Sequence, residues 1–368
     1  MPHRHISPLR TALTVVLLTG IAAAPGPAQA RTDIPPPELP GFPLRMTDIR
    51  VLNRDPDLLG MATDLAMRPD GSVCASDMGF HQVVCLDGGG KVLFKSGRKG
   101  QGPGEYEVPY RLTSLPDGSL LVLDIGTQRL SRLDPRGKYV RSWLLPLQFR
   151  QINGMRALSD RVVAIAGYAP TAGLSADSAV HLFSMGTELT HERSFGPLPT
   201  AVARETWEYW GSGRIATAPG RGLLYVRGIP NDVFRYSTEG RLVRRLQPRA
   251  PVSPRTDDAY QITRLLSSES VSNSNVLVVT ATTALQVGES LLLMLRTGSK
   301  GGKIQELWWD AVDPATGRLI ASARLPPGFT VVDLVGVHPA SGDLIAAIRK
   351  DELVQIVRIR HSLESRRP

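Results

Sequence analysis

A block of about 47 residues repeats early in this chain, and that period constrains the fold more than any other feature. Pro116-Asp117-Gly118-Ser119 lies 47 residues after Pro69-Asp70-Gly71-Ser72. Leu133-Asp134-Pro135-Arg136-Gly137-Lys138 lies at the same offset from Leu86-Asp87-Gly88-Gly89-Gly90-Lys91. Each block holds four short apolar runs separated by turn residues. Repeats of about 40–50 residues with four strands each mark the blades of a propeller.

The turn between the third and fourth strands is the best marker of further units. It recurs as Tyr236-Ser237-Thr238-Glu239-Gly240-Arg241, and one residue longer as Val312-Asp313-Pro314-Ala315-Thr316-Gly317-Arg318. An Asp or Ser opens the turn with its own side chain, and a Gly supplies the positive φ that reverses the strand. Counting such units gives six: 62–97, 108–146, 152–196, 212–247, 275–325, and a last one of only three strands after Thr330. An orphan strand-like segment, Thr47–Asn53, supplies the missing outer strand and closes the ring. Closure removes free sheet edges, which otherwise aggregate. The fold class is therefore all-β, a six-bladed β-propeller of four-stranded blades. A seven-bladed ring is the alternative. It would place an extra blade in 249–275, a segment that reads better as a loop with a short helix over Asp257–Leu266.

Composition agrees with a packed domain: 42% of residues are apolar and 21% are charged, which excludes a disordered chain. Residues 1–30 read as a Sec-type signal peptide. Arg4 and Arg10 precede an apolar run from Thr11 to Ala24, and Ala28-Gln29-Ala30 matches the cleavage rule. The run is too short to span a bilayer, and no later run is longer, so no membrane span is expected. The destination is periplasmic or extracellular. Residues 31–46 are Pro-rich and read as an extended tether; 47–361 form the propeller domain and 362–368 a tail. Cleavage removes two Arg and no acid, taking the net charge from +9 to +7. The excess is scattered, with no basic stripe, so nucleic acid is not an expected partner. Cys74 and Cys85, eleven apart on neighbouring strands, either form a disulfide in the oxidising compartment or remain two buried thiols.

Four stretches resemble the secreted six-bladed β-propellers related to NHL-repeat and TolB-like proteins: GQGPGEY (100–106), PDGSLLVLD (116–124), TQRLSRLDPRGK (127–138) and NDVFRYSTEG (231–240). The resemblance implies the fold more than the function, because such propellers host binding proteins, lyases and lactonases alike.

In a propeller, the loops between blades share one face with the loops between second and third strands. Here that face carries every long loop, so it is the expected binding surface. Its candidate ligand-binding residues are Arg98, Tyr106, Tyr110, Arg111, Arg150, Trp207, Tyr209, Trp210, Arg214 and Arg264. Aromatic side chains and Arg combine contact area with directed hydrogen bonds, and Arg forks onto carboxylates and phosphates. The competing role for the aromatics is to seal one blade against the next. No cofactor and no metal site is expected: the histidines are dispersed, and the Gly-rich loop 97–104 is interrupted by Pro103 and opens no helix. The functional expectation is a monomeric, non-enzymatic propeller that binds an anionic, sugar-like or peptide ligand, or an envelope protein. The alternative is a lyase or hydrolase with an Arg/Tyr site in the central channel, which requires at least two titratable groups converging there.

Overall fold

The computed structural model describes residues 33–169, 178–198, 213–217, 222–227, 232–246, 278–300, 303–350 and 353–363. The chain opens with β1 (Leu44–Val51). Blade one is β2 (Ala62–Met67), β3 (Val73–Asp77), β4 (Gln82–Leu86) and β5 (Val92–Ser96). Blade two is β6 (Pro109–Ser114), β7 (Leu120–Asp124), β8 (Arg129–Leu133) and β9 (Tyr139–Leu144). Blade three is β10 (Gln151–Ser159), β11 (Val162–Tyr168), β12 (Ser178–Met185) and β13 (Leu189–Pro197). Blade four is β14 (Arg214–Thr217), β15 (Leu223–Val226), β16 (Val233–Tyr236) and β17 (Leu242–Leu246). Blade five is β18 (Val278–Val287), β19 (Leu291–Lys300), β20 (Lys303–Val312) and β21 (Leu319–Arg324). Blade six contributes β22 (Thr330–Val337), β23 (Leu344–Lys350) and β24 (Leu353–Leu363).

These strands form six four-stranded antiparallel sheets, and the last has the order β1-β24-β23-β22. The N-terminal strand is thus the outer strand of the final blade, in register from Leu44↔Leu363 to Val51↔Val357. Inner strands touch in sequence around the ring: β2 with β6, β6 with β10, β10 with β14, β14 with β18, β18 with β22, and β22 with β2. The molecule is a six-bladed β-propeller. Direct contact of β14 with β18 leaves no place for a seventh blade between them. The short helix expected over Asp257–Leu266 lies outside the described residues.

The N-terminal boundary differs from expectation. β1 begins at Leu44 rather than Thr47, and Phe42, Leu44 and Met46 are buried in the core shared by blades five and six. From residue 33 onward the preceding Pro-rich stretch lies along the fold. Ile34 donates its N–H to Ile49, and the Asp33 carboxylate accepts the Val51 N–H. Its prolines space out Ile34, Leu39 and Phe42, which pack against that core. At the other end β24 continues to Leu363, two residues past the expected domain limit.

The turns explain both the repeat and how blades lock together. Asp87 accepts from the N–H groups of Gly89 and Lys91, Asp134 from those of Arg136 and Lys138, and Asp313 from those of Ala315 and Thr316. Each turn ends in a positive-φ Gly that abuts the outer strand of the preceding blade. A Cβ on Gly137 (φ 83°) would lie 2.3 Å from the Phe94 ring, and one on Gly240 would meet Phe195. The marker glycines therefore serve two ends, strand reversal and blade stacking. Cys74 and Cys85, fully buried, face each other as cross-strand partners on β3 and β4 with Cα atoms 4.0 Å apart, and a disulfide joins them.

Two buried carboxylates position the entry to the inner strands. Asp77 closes β3 and accepts from the backbone of Gly60, Met61 and Gly79. Asp124, at the same place in blade two, accepts from Glu107, Val108, Gly126 and Thr127. Each binds the inter-blade loop to the loop between second and third strands, so both are committed to structure.

Candidate functional site

The inner strands line the channel, and a recurring irregularity sets what they present there. The pairing with the second strand slips between Ala62 and Asp64, Pro109 and Arg111, Ile152 and Gly154, Ala281 and Thr283, and Val331 and Asp333. Each slip is a β-bulge near the long-loop end of the strand, and bulges re-aim the side chain that follows. The residues after them are Asp64, Arg111, Gly154, Thr283 and Asp333. In blade four Arg214 stands at the matching level, opposite Val226. One turn of the ring thus reads Asp, Arg, Gly, Arg, Thr, Asp.

These side chains interact. Arg214 of blade four lies 3.8 Å from the Asp333 carboxylate of blade six, reaching past blade five. Arg111 is buried; it donates to the carbonyls of Thr63 in blade one (3.2 Å) and Ile152 in blade three (3.1 Å), and stacks 4.1 Å over the Tyr110 ring. Asp64 accepts the N–H groups of Leu65 (3.0 Å) and, in the next blade, Leu112 (3.0 Å). Arg156 completes the group, its guanidinium anchored 2.7 Å from its neighbour's carbonyl on Met155.

Burial pushes the Asp64 carboxyl above its ordinary range, and the Asp333 carboxylate pushes the same way; Arg111 and Arg156 oppose them. Burial also disfavours the Arg111 charge, as does Arg214, while Tyr110, Asp64 and Asp333 support it. Three cations, two carboxylates and a phenol therefore share one electrostatic field at the long-loop end of the channel. The arrangement can fork onto an anion through Arg214 and Arg156 and can place a protonatable carboxyl beside it.

Of the residues singled out from sequence, Tyr110, Arg111 and Arg214 meet here. Tyr106 does not: it is fully buried between blades one and two, where Gly97 packs on its ring, and no solvent ligand reaches it. It seals blades, the competing role weighed for such aromatics. Arg98 is exposed and paired with Glu105 at 2.7 Å in the same loop. Arg150 is exposed just before β10, where its backbone N–H donates to the Tyr168 carbonyl. Trp207, Tyr209, Trp210 and Arg264 lie outside the described residues. Asp64, Arg156 and Asp333 escaped the sequence reading. The repeat offset carried the signal for the first, since Asp64 plus 47 is Arg111. Among the described residues, no group of three or more His, Cys, Asp or Glu side chains is placed to hold a metal.

No protein-family model and no curated protein matches the sequence. Solved structures do match. The Bacteroides fragilis protein BF0058 superposes with a TM-score of 0.57 at 10% identity, over 88% of this chain and 97% of that one. A member of the DUF4221 family from Bacteroides vulgatus gives 0.59 at 11% identity, over 87% and 97%. U3-55K gives 0.52 at 10% identity, over 85% and 98%. At such identities the likeness is one of fold.

Proposed function

We propose that this chain is an exported propeller that binds a small anionic ligand at the long-loop mouth of its channel, without transforming it. Arg214 and Arg156 are the ligand-facing cations, Tyr110 offers an aromatic edge, and buried Arg111 holds the local potential positive. The observation that carries this reading is the Arg214–Asp333 approach across the channel, which puts a half-exposed guanidinium (41% of its side-chain area) where a ligand would enter. A ligand carboxylate or phosphate would displace a weak, long pair and gain a bidentate one. Export rests on the signal-peptide pattern of residues 1–30, and BF0058 is itself described as an exported protein. Native mass spectrometry of the secreted protein tests the binding: a small anion retained by the parent and lost from Arg214→Gln supports it, and identical spectra oppose it.

One observation favours a second reading, a lyase or hydrolase. Asp64, whose carboxyl burial pushes above its ordinary range, feels the Asp333 carboxylate, and such chemistry requires two converging groups of this kind. In that case Asp64→Asn and Asp333→Asn would keep ligand affinity and abolish turnover.

A further inference from the structure

The seam where the ring closes carries a group of charged side chains beside its turn glycine. Between blades one and two the turn Gly137 packs on Phe94, between three and four Gly240 packs on Phe195, and between four and five Gly317 packs on Leu246. Between blades six and one the turn Gly90 packs on Leu52 in the same way, and beside it one face of the outer strands is charged. Asp48↔Arg360 and Arg50↔Arg358 are cross-strand partners on β1 and β24. Together with Asp343, Arg54 and the Gly88–Gly89 turn they enclose a cavity of about 170 Å³. That is well above what one water needs and below the roughly 300 Å³ at which drug-sized ligand sites begin.

The lining carries four guanidinium groups against two carboxylates, a surplus of two positive charges. Their hydrogen bonding is incomplete. Arg50 uses its Nε on Asp48 (2.9 Å), and Arg54 uses one terminal nitrogen on Asp33 (2.7 Å), which lies outside the cavity lining. Arg358 uses its Nε on Asp343 (2.6 Å) and one terminal nitrogen on the Gly88 carbonyl (3.2 Å). The Arg360 guanidinium has no hydrogen bond or ion pair among the described residues, although its charge helps hold the Asp343 carboxyl below its ordinary range. Each guanidinium offers five N–H donors, so most donors around the cavity remain uncommitted. The carboxylates orient the forks rather than consume them.

We propose that this seam is a second binding site, for a single tetrahedral oxyanion: inorganic phosphate or the head of a phosphomonoester. The dianion matches the surplus of two charges, and planar forks match its oxygens. The anion bridges β1 and β24 to the first blade's turn, so binding tightens the ring closure. The site is independent of the channel and does not rest on the function proposed for it.

The test is thermal unfolding and calorimetric titration of the secreted chain with inorganic phosphate and with phenyl phosphate, against chloride at matched ionic strength. Saturable stabilisation by either anion is expected. The double variant Arg50→Gln, Arg360→Gln, both exposed positions, should bind at least tenfold more weakly and unfold normally in chloride. Arg214→Gln, in the channel, should respond like the parent. Preference for phenyl phosphate assigns a phosphomonoester, and preference for phosphate assigns the free ion. No saturable response in the parent, or an unchanged response in the double variant, overturns the proposal.

Discussion

Arg214 of blade four and Asp333 of blade six approach to 3.8 Å with blade five between their strands. Two side chains on strands of non-adjacent blades can meet only inside the channel, so this pair places charge there. A partly exposed ion pair of this length contributes about 0–1 kcal/mol. Arg214→Gln is therefore expected to move urea-unfolding stability by under about 1 kcal/mol while removing the retained anion. A large loss of stability would instead assign Arg214 to structure.

Arg111 should behave in the opposite way. Its side chain satisfies carbonyls of Thr63 and Ile152 in the blades on either side. Arg111→Met leaves those carbonyls without donors and Asp64 with one cation fewer, at a cost of about 2–4 kcal/mol. Arg111→Lys should recover little, because an ammonium cannot fork to two blades. Urea denaturation of the two variants reads both expectations.

Stability should fall in mild acid through His181. Its ring is buried, with Nδ1 2.8 Å from the Ser194 hydroxyl and Nε2 3.3 Å from the Gly167 carbonyl. Burial lowers its pKa from 6.5 to about 4. The unfolded chain thus binds the proton first, so stability is full above pH 6.5 and is lost as pH falls toward 4. The full loss is of the order of 3 kcal/mol. Half-buried His191 shifts in the same direction, again chiefly through burial. Asp64, whose pKa is raised, works in reverse: its contribution falls as pH rises through its titration. Denaturation midpoints between pH 4 and 7 should slope in the parent and flatten in His181→Gln.

Turn glycines should divide by what lies beside them. At Gly137 a Cβ meets the Phe94 ring as well as a positive φ, whereas at Gly288 (φ 62°) nothing lies within 4 Å. Gly288→Ala should cost only the backbone term, about 1–2 kcal/mol. Gly137→Ala should cost more by about 1–3 kcal/mol of overpacking. Equal melting shifts for the two would remove the blade-locking role given to the marker glycines.

Replacing both Cys74 and Cys85 by Ala opens a cross-link over eleven residues of sequence. Loop-closure entropy puts the loss near 3 kcal/mol. Reductant alone should act slowly on the folded parent, because both residues are fully buried. Free-thiol labelling with and without urea checks that point.

The ring was legible because blade architecture is local. Turn carboxylates at Asp87 and Asp134 and the glycines that follow them repeat at a fixed offset, and the short sixth unit calls for the outer strand that β1 supplies. The site was legible only in part. Tyr106 in the inter-blade loop and Tyr110 on β6 sit four apart, yet one seals a blade junction and the other stacks on Arg111, a difference fixed by packing across blades. Asp64, Arg156 and Asp333 come together from blades one, three and six, and no local pattern announces such convergence. The bulges before Asp64 and Asp333 shift pairing by one residue, which sequence alternation alone does not register.

The most direct test of the account is the experimental structure of the natively purified protein with whatever it retains. The account predicts an anion at the long-loop end of the channel, within hydrogen-bond reach of Arg214 and Arg156 and beside Tyr110. A ligand bound elsewhere, with only water between Arg214 and Asp333, would contradict it.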